Sequence, residues 1–334
     1  MPTVLLAFDD NPFTPGQMAQ LEALLPPDYE IVCGRAPETL AAVKENTEIV
    51  AGWADRDWLL AAPKLRWFQQ WGAGADWLLN YPAAVTADFI LTNVSGIHAV
   101  PISEHIFAMI LALGRHIPGS VRAAEAHRWG RLKQRGEPLA GPFDFPVTSM
   151  FELADKTMLI VGVGAIGART AQVAEAFGMK VIGVRRHSDQ SVPHVAEMIG
   201  PEQLLNRLPA ADFVVLTVPF TRRTENMIGA AELAAMKEDC VLVNIGRGGT
   251  IDEEALLTAL RSGQIRAAAL DVFAEEPLPM RSPLWEQENL LITAHYAGGT
   301  PRYTERAFAI FRDNLGRYMR GEPLFNVVDK VEGY

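Results

Sequence analysis

Apolar, often β-branched runs bounded by turn formers recur through the first hundred residues, at Val4–Phe8, Tyr29–Cys33, Glu48–Gly52, Arg66–Gln70 and Phe89–Asn93. Helical stretches such as Pro15–Leu25 and Pro37–Lys44 lie between them. The alternation predicts a small parallel α/β domain, because neighbouring parallel strands need a helix-sized crossover. It restarts at Thr157 with stronger strands: Met158–Val163, Val181–Val184, Phe213–Val218, Val241–Ile245, Ala267–Val272 and Leu290–Ala294. Six strands separated by helices predict a doubly wound domain of Rossmann type. Ile102–Leu113 is apolar nearly all round, so it predicts a buried helix; one facing water would show a polar stripe. Pro301–Arg320 carries Tyr303, Ala307, Ile310, Phe311, Leu315 and Tyr318 at helical spacing and predicts an amphipathic closing helix. Arg115–Met150 is charged, contains Gly and Pro, and has a helical patch around Val121–Trp129; it reads as a surface excursion and a place for an oligomer contact.

The expected fold class is therefore α/β, with two doubly wound parallel-sheet domains. Residues 1–99 and 299–334 form a flavodoxin-like domain, and residues 100–298 form the Rossmann domain. A chain that leaves one domain and returns to it crosses twice, so hinge closure over a cleft is expected.

A length of 334 residues suffices for two cores, and 49% hydrophobic with 21% charged residues is the balance of a soluble globular protein. A net charge of −10 argues against nucleic acid or an anionic membrane as partner. The start MPTVLLAFDD lacks a basic region and reads as a first strand, not a signal peptide; the apolar stretch Ile106–Gly114 is too short to span a bilayer. Cys33 and Cys240 have no metal or redox spacing, so both are expected in the core of a cytoplasmic protein, and no metal site is expected.

The strand at Met158 runs straight into Gly162-Val163-Gly164-Ala165-Ile166-Gly167, and a helix-period stretch, Ala168–Phe177, stops at Gly178. Strand, Gly-x-Gly-x-x-Gly and helix are the parts of a dinucleotide-binding unit. Gly162 permits the tight turn, Gly164 lets a pyrophosphate approach, and Gly167 lets helix and strand pack closely. The helix N-terminus supplies N–H groups and a positive dipole to phosphate. The second strand of the unit ends in Arg185-Arg186-His187-Ser188, where an NAD-binding unit usually places an acid for the ribose 2′-OH. Guanidiniums and a hydroxyl suit a 2′-phosphate instead; the plain alternative is a solvated basic turn. NADP is thus the expected cofactor, NADPH the preferred form, with NAD as the second choice.

Three polar residues stand at the carboxyl ends of the late strands, where open α/β sheets bind ligands. Arg247 lies in NIGRGG, Glu276 in LDVFAEEPLP and His295 in LLITAHYAGGT. Reduction of a 2-keto acid needs a cation for the carboxylate and carbonyl, an acid to protonate the developing alkoxide, and a partner that keeps that acid protonated. Arginine, histidine and glutamate supply those roles. Each has an ordinary reading too, as a surface or core group; their joint occurrence behind a dinucleotide loop is what weighs.

Over nearly its whole length the chain resembles the NAD(P)-dependent D-isomer-specific 2-hydroxyacid dehydrogenases, of the glyoxylate/hydroxypyruvate reductase kind. The motifs that carry the likeness are QWGAGADWLL, LTNVSGIHAVPISEH, VGVGAIG, VPFTRRTENMIG, NIGRGGTIDEEAL, LDVFAEEPLP and ITAHYAGGT. The resemblance implies an oxidoreductase and a homodimer, with Arg247 as substrate-binding cation, His295 as acid/base and Glu276 as its partner. It implies backbone N–H groups in the Gly72-Ala73-Gly74 loop on the substrate carboxylate and Asp271 on the nicotinamide amide. Ile245, Gly246 and Gly298 would lie along the same cofactor wall, with Val218, Pro219 and Thr224 near the adenosine half. Thr-Ala-His stands where the family usually has Thr-Pro-His, which loosens that loop but leaves the imidazole. Formate dehydrogenases, similar in other respects, put Gln where Glu276 stands, so the acid argues against formate. Trp53 and Trp71 read either as core aromatics or as the wall facing the substrate side chain. A nicotinamide-sensing, corepressor-like binding protein is the alternative. It would need tails or docking grooves, and the chain starts at its first strand and stops soon after its last helix.

Overall fold

A computed structural model describes all of residues 1–334. The chain divides into two units, Met1–Ile97 with Thr300–Tyr334, and His98–Gly299. In the first unit, β1 (Thr3–Ala7), β2 (Glu30–Cys33), β3 (Thr47–Gly52), β4 (Trp67–Gln70) and β5 (Ile90–Thr92) make an all-parallel sheet. Its order, β2-β1-β3-β4-β5, is that of flavodoxin-like folds. Successive side chains of a strand face opposite sides, and here both sides are covered. Val4 and Leu6 share one core with Ala307, Phe308, Phe311 and Leu315 of the closing helix Tyr303–Met319, while Leu5 joins Leu59, Phe68 and Leu91 in the other. Burial on both faces is why β1 reads as an apolar run.

The second unit opens with the helix Ala99–Gly114, whose Ile102, Ile106, Phe107, Met109 and Ile110 are buried among Met158, Ile160, Ala171 and Ala174. The excursion that follows holds the helix Ile117–Glu125 and a two-residue pairing of β6 (Leu132–Lys133) with β7 (Phe145–Pro146). Then come β8 (Thr157–Val161), β9 (Lys180–Val184), β10 (Glu197–Ile199), β11 (Phe213–Leu216), β12 (Val241–Asn244), β13 (Ala267–Leu270) and β14 (Leu290–Ile292). They form a parallel sheet ordered β10-β9-β8-β11-β12-β13-β14, the Rossmann order with one strand added.

The sheet has seven strands, not the expected six. The strand not expected, β10, is a three-residue edge strand in which only Ile199 is fully buried, too short and too polar to show a period. Cys33 also departs from expectation. It ends the edge strand β2 and is exposed, whereas Cys240 is buried and its thiol is pushed up to about 12 by that burial. No helix is long and apolar enough to cross a membrane.

Candidate active site

The dinucleotide loop leaves β8 at the point where strand order reverses between β8 and β11, the usual ligand position in such sheets. Gly162 has φ +101°, and a Cβ there would sit 2.8 Å from Val218 and 3.1 Å from the Thr217 backbone. A Cβ on Gly167 would lie 2.4 Å from the Gly162 carbonyl, so this glycine lets the helix Ala165–Ala176 close on the strand. Gly164 is the N-cap, without a capping side chain, and its Cβ direction meets nothing within 4 Å. The first-turn amides of Ala165, Ile166 and Gly167 have no intrahelical acceptor and lie at the positive end of the dipole. These features fit a pyrophosphate.

After β9, the Arg185 guanidinium donates to Gln190 Oε1 at 3.3 Å, Arg186 and His187 are exposed, and Ser188 is half-buried. After β11, Val218 and Pro219 enter a turn closed by Thr224, whose hydroxyl donates to the Pro219 carbonyl at 2.7 Å and accepts from Thr221 N–H at 2.8 Å.

The three strand-exit loops interlock. After β12, Ile245 is buried and Gly246 N–H donates to Asn244 Oδ1 at 3.0 Å; the Arg247 guanidinium folds back onto the Gly246 carbonyl at 2.8 Å. A Cβ on Gly248 would overlap the Phe273 carbonyl carbon at 1.8 Å, so the Arg247 loop lies directly on the backbone leading to Glu276. Glu276 Oε1 accepts from Phe273 N–H at 2.9 Å, and Oε2 lies 2.6 Å from His295 Nδ1. The His295 and Glu276 side chains stay 49% and 34% exposed, so the pair is open to a ligand.

His295 adopts φ +52°, a left-handed conformation uncommon for a residue with a Cβ. Its surroundings enforce it through Asp271, which is 1% exposed. His295 N–H donates to the Asp271 carbonyl at 2.8 Å. The Asp271 carboxylate accepts from Thr293 Oγ1 at 2.6 Å, Tyr296 N–H at 3.1 Å and Ala297 N–H at 2.9 Å. One buried carboxylate thus pins residues 293–297 without the family's proline, and three of its acceptor positions already face that loop. Behind Thr293 stands His105, with Nε2 3.0 Å from Thr293 Oγ1 and the ring edge-on to Tyr296. Thr293 gives its only hydroxyl proton to the carboxylate, so His105 Nε2 must be the donor to Thr293. Burial pushes the His105 pKa below its ordinary value, partly offset by Asp271. Gly298 ends the loop with its carbonyl 3.1 Å from His98 Nδ1. Sequence reasoning missed His105; an ionisable ring on a largely apolar helix was the available signal.

In the first unit, Gly72, Ala73 and Gly74 form a loop just after β4. Trp53 is 47% exposed and its ring lies 3.5 Å from the Cβ direction of Gly72. Of the two readings open for Trp71, core aromatic and pocket wall, the contacts support the first. Its indole is 3% exposed and packed against Phe8, Phe13 and Phe311 at centroid distances of 5.0, 5.7 and 6.3 Å, so it is a core aromatic. No group of three or more His, Cys, Asp or Glu residues is placed to hold a metal.

Residues 107–297 match the family described as D-isomer specific 2-hydroxyacid dehydrogenase, NAD binding domain. The glyoxylate reductase of Aeropyrum pernix is 33% identical over 307 residues, 91% of this chain and 87% of that one. The chain belongs to the D-isomer-specific 2-hydroxyacid dehydrogenase family. Its second unit is accordingly the NAD(P)-binding domain of an oxidoreductase fold. A D-3-phosphoglycerate dehydrogenase of Methanocaldococcus jannaschii is 35% identical over 278 residues, 82% of this chain, but the match spans only 49% of that longer relative. Among solved structures of the family, an NADPH-dependent glyoxylate/hydroxypyruvate reductase from Sinorhizobium meliloti, in complex with NADP and sulfate, superposes with a TM-score of 0.78. It is 28% identical, with all of both chains covered. These family members are dehydrogenases and reductases, which does not favour the corepressor-like alternative.

Proposed function

We propose that the protein reduces a small 2-keto acid to a D-2-hydroxy acid, with NADPH preferred over NADH. The observation that carries the reading is the 2.6 Å contact between His295 and Glu276, on loops interlocked with the Arg247 loop at the strand exits of a dinucleotide-binding unit. A bound reduced nicotinamide supplies the hydride. As the carbonyl carbon is reduced, its oxygen gains charge and needs a proton. Glu276 accepts at Nδ1 of His295, which leaves Nε2 as the position that delivers that proton. Glu276 is itself held by Phe273 N–H, so the ring keeps one orientation. Arg247 offers planar paired donors to the substrate carboxylate and the developing oxyanion. In the first unit, the amides of Ala73 and Gly74 take the carboxylate, and Trp53 faces the substrate side chain; its half-exposed indole beside Gly72 supports this.

NADPH preference is supported by the absence of an acid among Arg185, Arg186, His187 and Ser188, and by the relative named as NADPH-dependent. A small substrate is supported by the glyoxylate reductases among the relatives. Asp271 would act chiefly by holding the His295 loop, since its carboxylate is buried against it. The protein is further proposed to be a cytoplasmic homodimer. Exposed Ile117, Val121, Trp129, Leu132 and Leu139, all within the excursion, support an interface there.

A panel of glyoxylate, hydroxypyruvate, pyruvate, 2-ketoisocaproate and phenylpyruvate, each with NADPH and NADH, tests the reading with purified protein. Turnover of a small keto acid with better kcat/KM for NADPH is expected. Turnover of none of them would end it.

A further inference from the structure

We infer that Gln70 and Asn93 are positioning residues that turn the backbone from Gly72 to Ala75 into an anion-binding nest; the inference rests on the reading of this loop as the seat of the substrate carboxylate. Gln70 is 2% and Asn93 6% exposed, so both side-chain amides must find partners inside the first unit. The Trp77 indole N–H can only donate, and it lies 2.6 Å from Gln70 Oε1. That contact decides which end of the amide is oxygen. Both Nε2 hydrogens are then directed to backbone carbonyls, those of Gly72 at 3.0 Å and Gly74 at 2.5 Å. Asn93 repeats the arrangement. Ser95 N–H donates to its Oδ1 at 2.9 Å, so Nδ2 faces the Ala73 carbonyl at 2.8 Å.

Three successive carbonyls are thus tied to two buried amides. Across a trans peptide the C=O and the following N–H point in opposite directions, and the loop has no cis bond. The N–H groups of Ala73, Gly74 and Ala75 are therefore turned away from the interior that holds Gln70 and Asn93. None of the three has an acceptor within the chain. Ala75 is only 4% exposed, and a buried N–H without a partner is rare enough to point to a ligand. A run of outward N–H groups with no cation among them suits the carboxylate of a 2-keto acid. The support continues behind Gln70, where the Arg56 guanidinium stacks 4.1 Å over the Trp77 ring that orients the amide.

The test is steady-state reduction of glyoxylate together with calorimetric binding of oxamate, a non-reacting analogue, to the NADPH-loaded protein. Gln70→Met removes both donors at similar length. Trp77→Phe is the milder variant, removing only the N–H that orients them while keeping a ring beneath Arg56. In Gln70→Met, the KM for glyoxylate and the Kd for oxamate should both rise about ten- to hundred-fold, the range of a lost charge-assisted hydrogen bond. Trp77→Phe should move both the same way by less, and in each variant kcat should change far less than KM, with NADPH affinity retained and the fold kept at a lower Tm, since each substitution leaves buried polar groups without a partner. Unchanged KM and oxamate affinity in the folded variants would overturn the inference while leaving the functional reading intact. A wild-type protein that neither reduces glyoxylate nor binds oxamate would overturn the reading of the loop, and the inference with it.

Discussion

At the scale of single residues, contacts decide between roles that residue type leaves open. Two tryptophans beside the Gly72-Ala73-Gly74 loop are equivalent in the sequence, yet Trp71 lies among Phe8, Phe13 and Phe311 while Trp53 is half exposed. Trp71→Ala should therefore cost about 3–5 kcal/mol of stability, the range for deleting a buried large aromatic, and leave the ranking of keto acids as it was. Chemical denaturation and the keto-acid panel check the two halves; a reordered ranking with little loss of stability would return the indole to the pocket. His105 carries a different consequence. Its pKa is lowered in the folded chain by burial, so the unfolded chain binds the proton more readily. Stability should fall as pH drops below the ordinary histidine value of 6.5, toward the lower folded-state pKa. His105→Gln should show a shallower loss across that window, measured as Tm against pH; an identical slope would mean that His105 does not contribute to it.

At the scale of elements, the long strands were legible because burial on both faces leaves runs of four or more apolar residues, as in β8 and β11. The edge strand β10 and the short helices Arg56–Leu60 and Pro82–Thr86 were not, since three to five residues carry no measurable period. The same division runs through the candidate site. Arg247, Glu276 and His295 could be singled out by position, each following an apolar strand. His105 and Thr293 are 188 residues apart, and Gln70 acts on carbonyls that carry no side-chain signal, so their parts appear only once the chain has folded. The turn Arg185–Ser188 after β9 belongs to the legible kind, and its prediction is electrostatic. Arg185→Asp places a carboxylate where a 2′-phosphate would bind, so kcat/KM for NADPH should fall about ten- to hundred-fold relative to NADH. An unaltered cofactor ratio would make the arginines a solvated turn.

At the scale of the whole molecule, the chain builds two parallel sheets of related design, and the loops that matter leave the carboxyl ends of β4, β8, β12 and β13 and follow β14. Residues 115–150 belong to neither sheet. Their exposed Val121 and Trp129 give the oligomer prediction a handle: the wild type should sediment at about twice its 36.6 kDa, and the Val121→Asp and Trp129→Glu variants nearer to one chain mass. A monomeric wild type would remove that interface. The central claim, however, is chemical: a histidine held by Glu276 and by the Asp271-anchored loop delivers the proton in keto-acid reduction. It is tested most directly by following NADPH oxidation with glyoxylate for the wild type and His295→Ala under identical saturating conditions. The account predicts turnover by the wild type and a kcat about 10²–10⁴-fold lower in the variant, with NADPH binding retained. A variant that turns over at nearly the wild-type rate would contradict it.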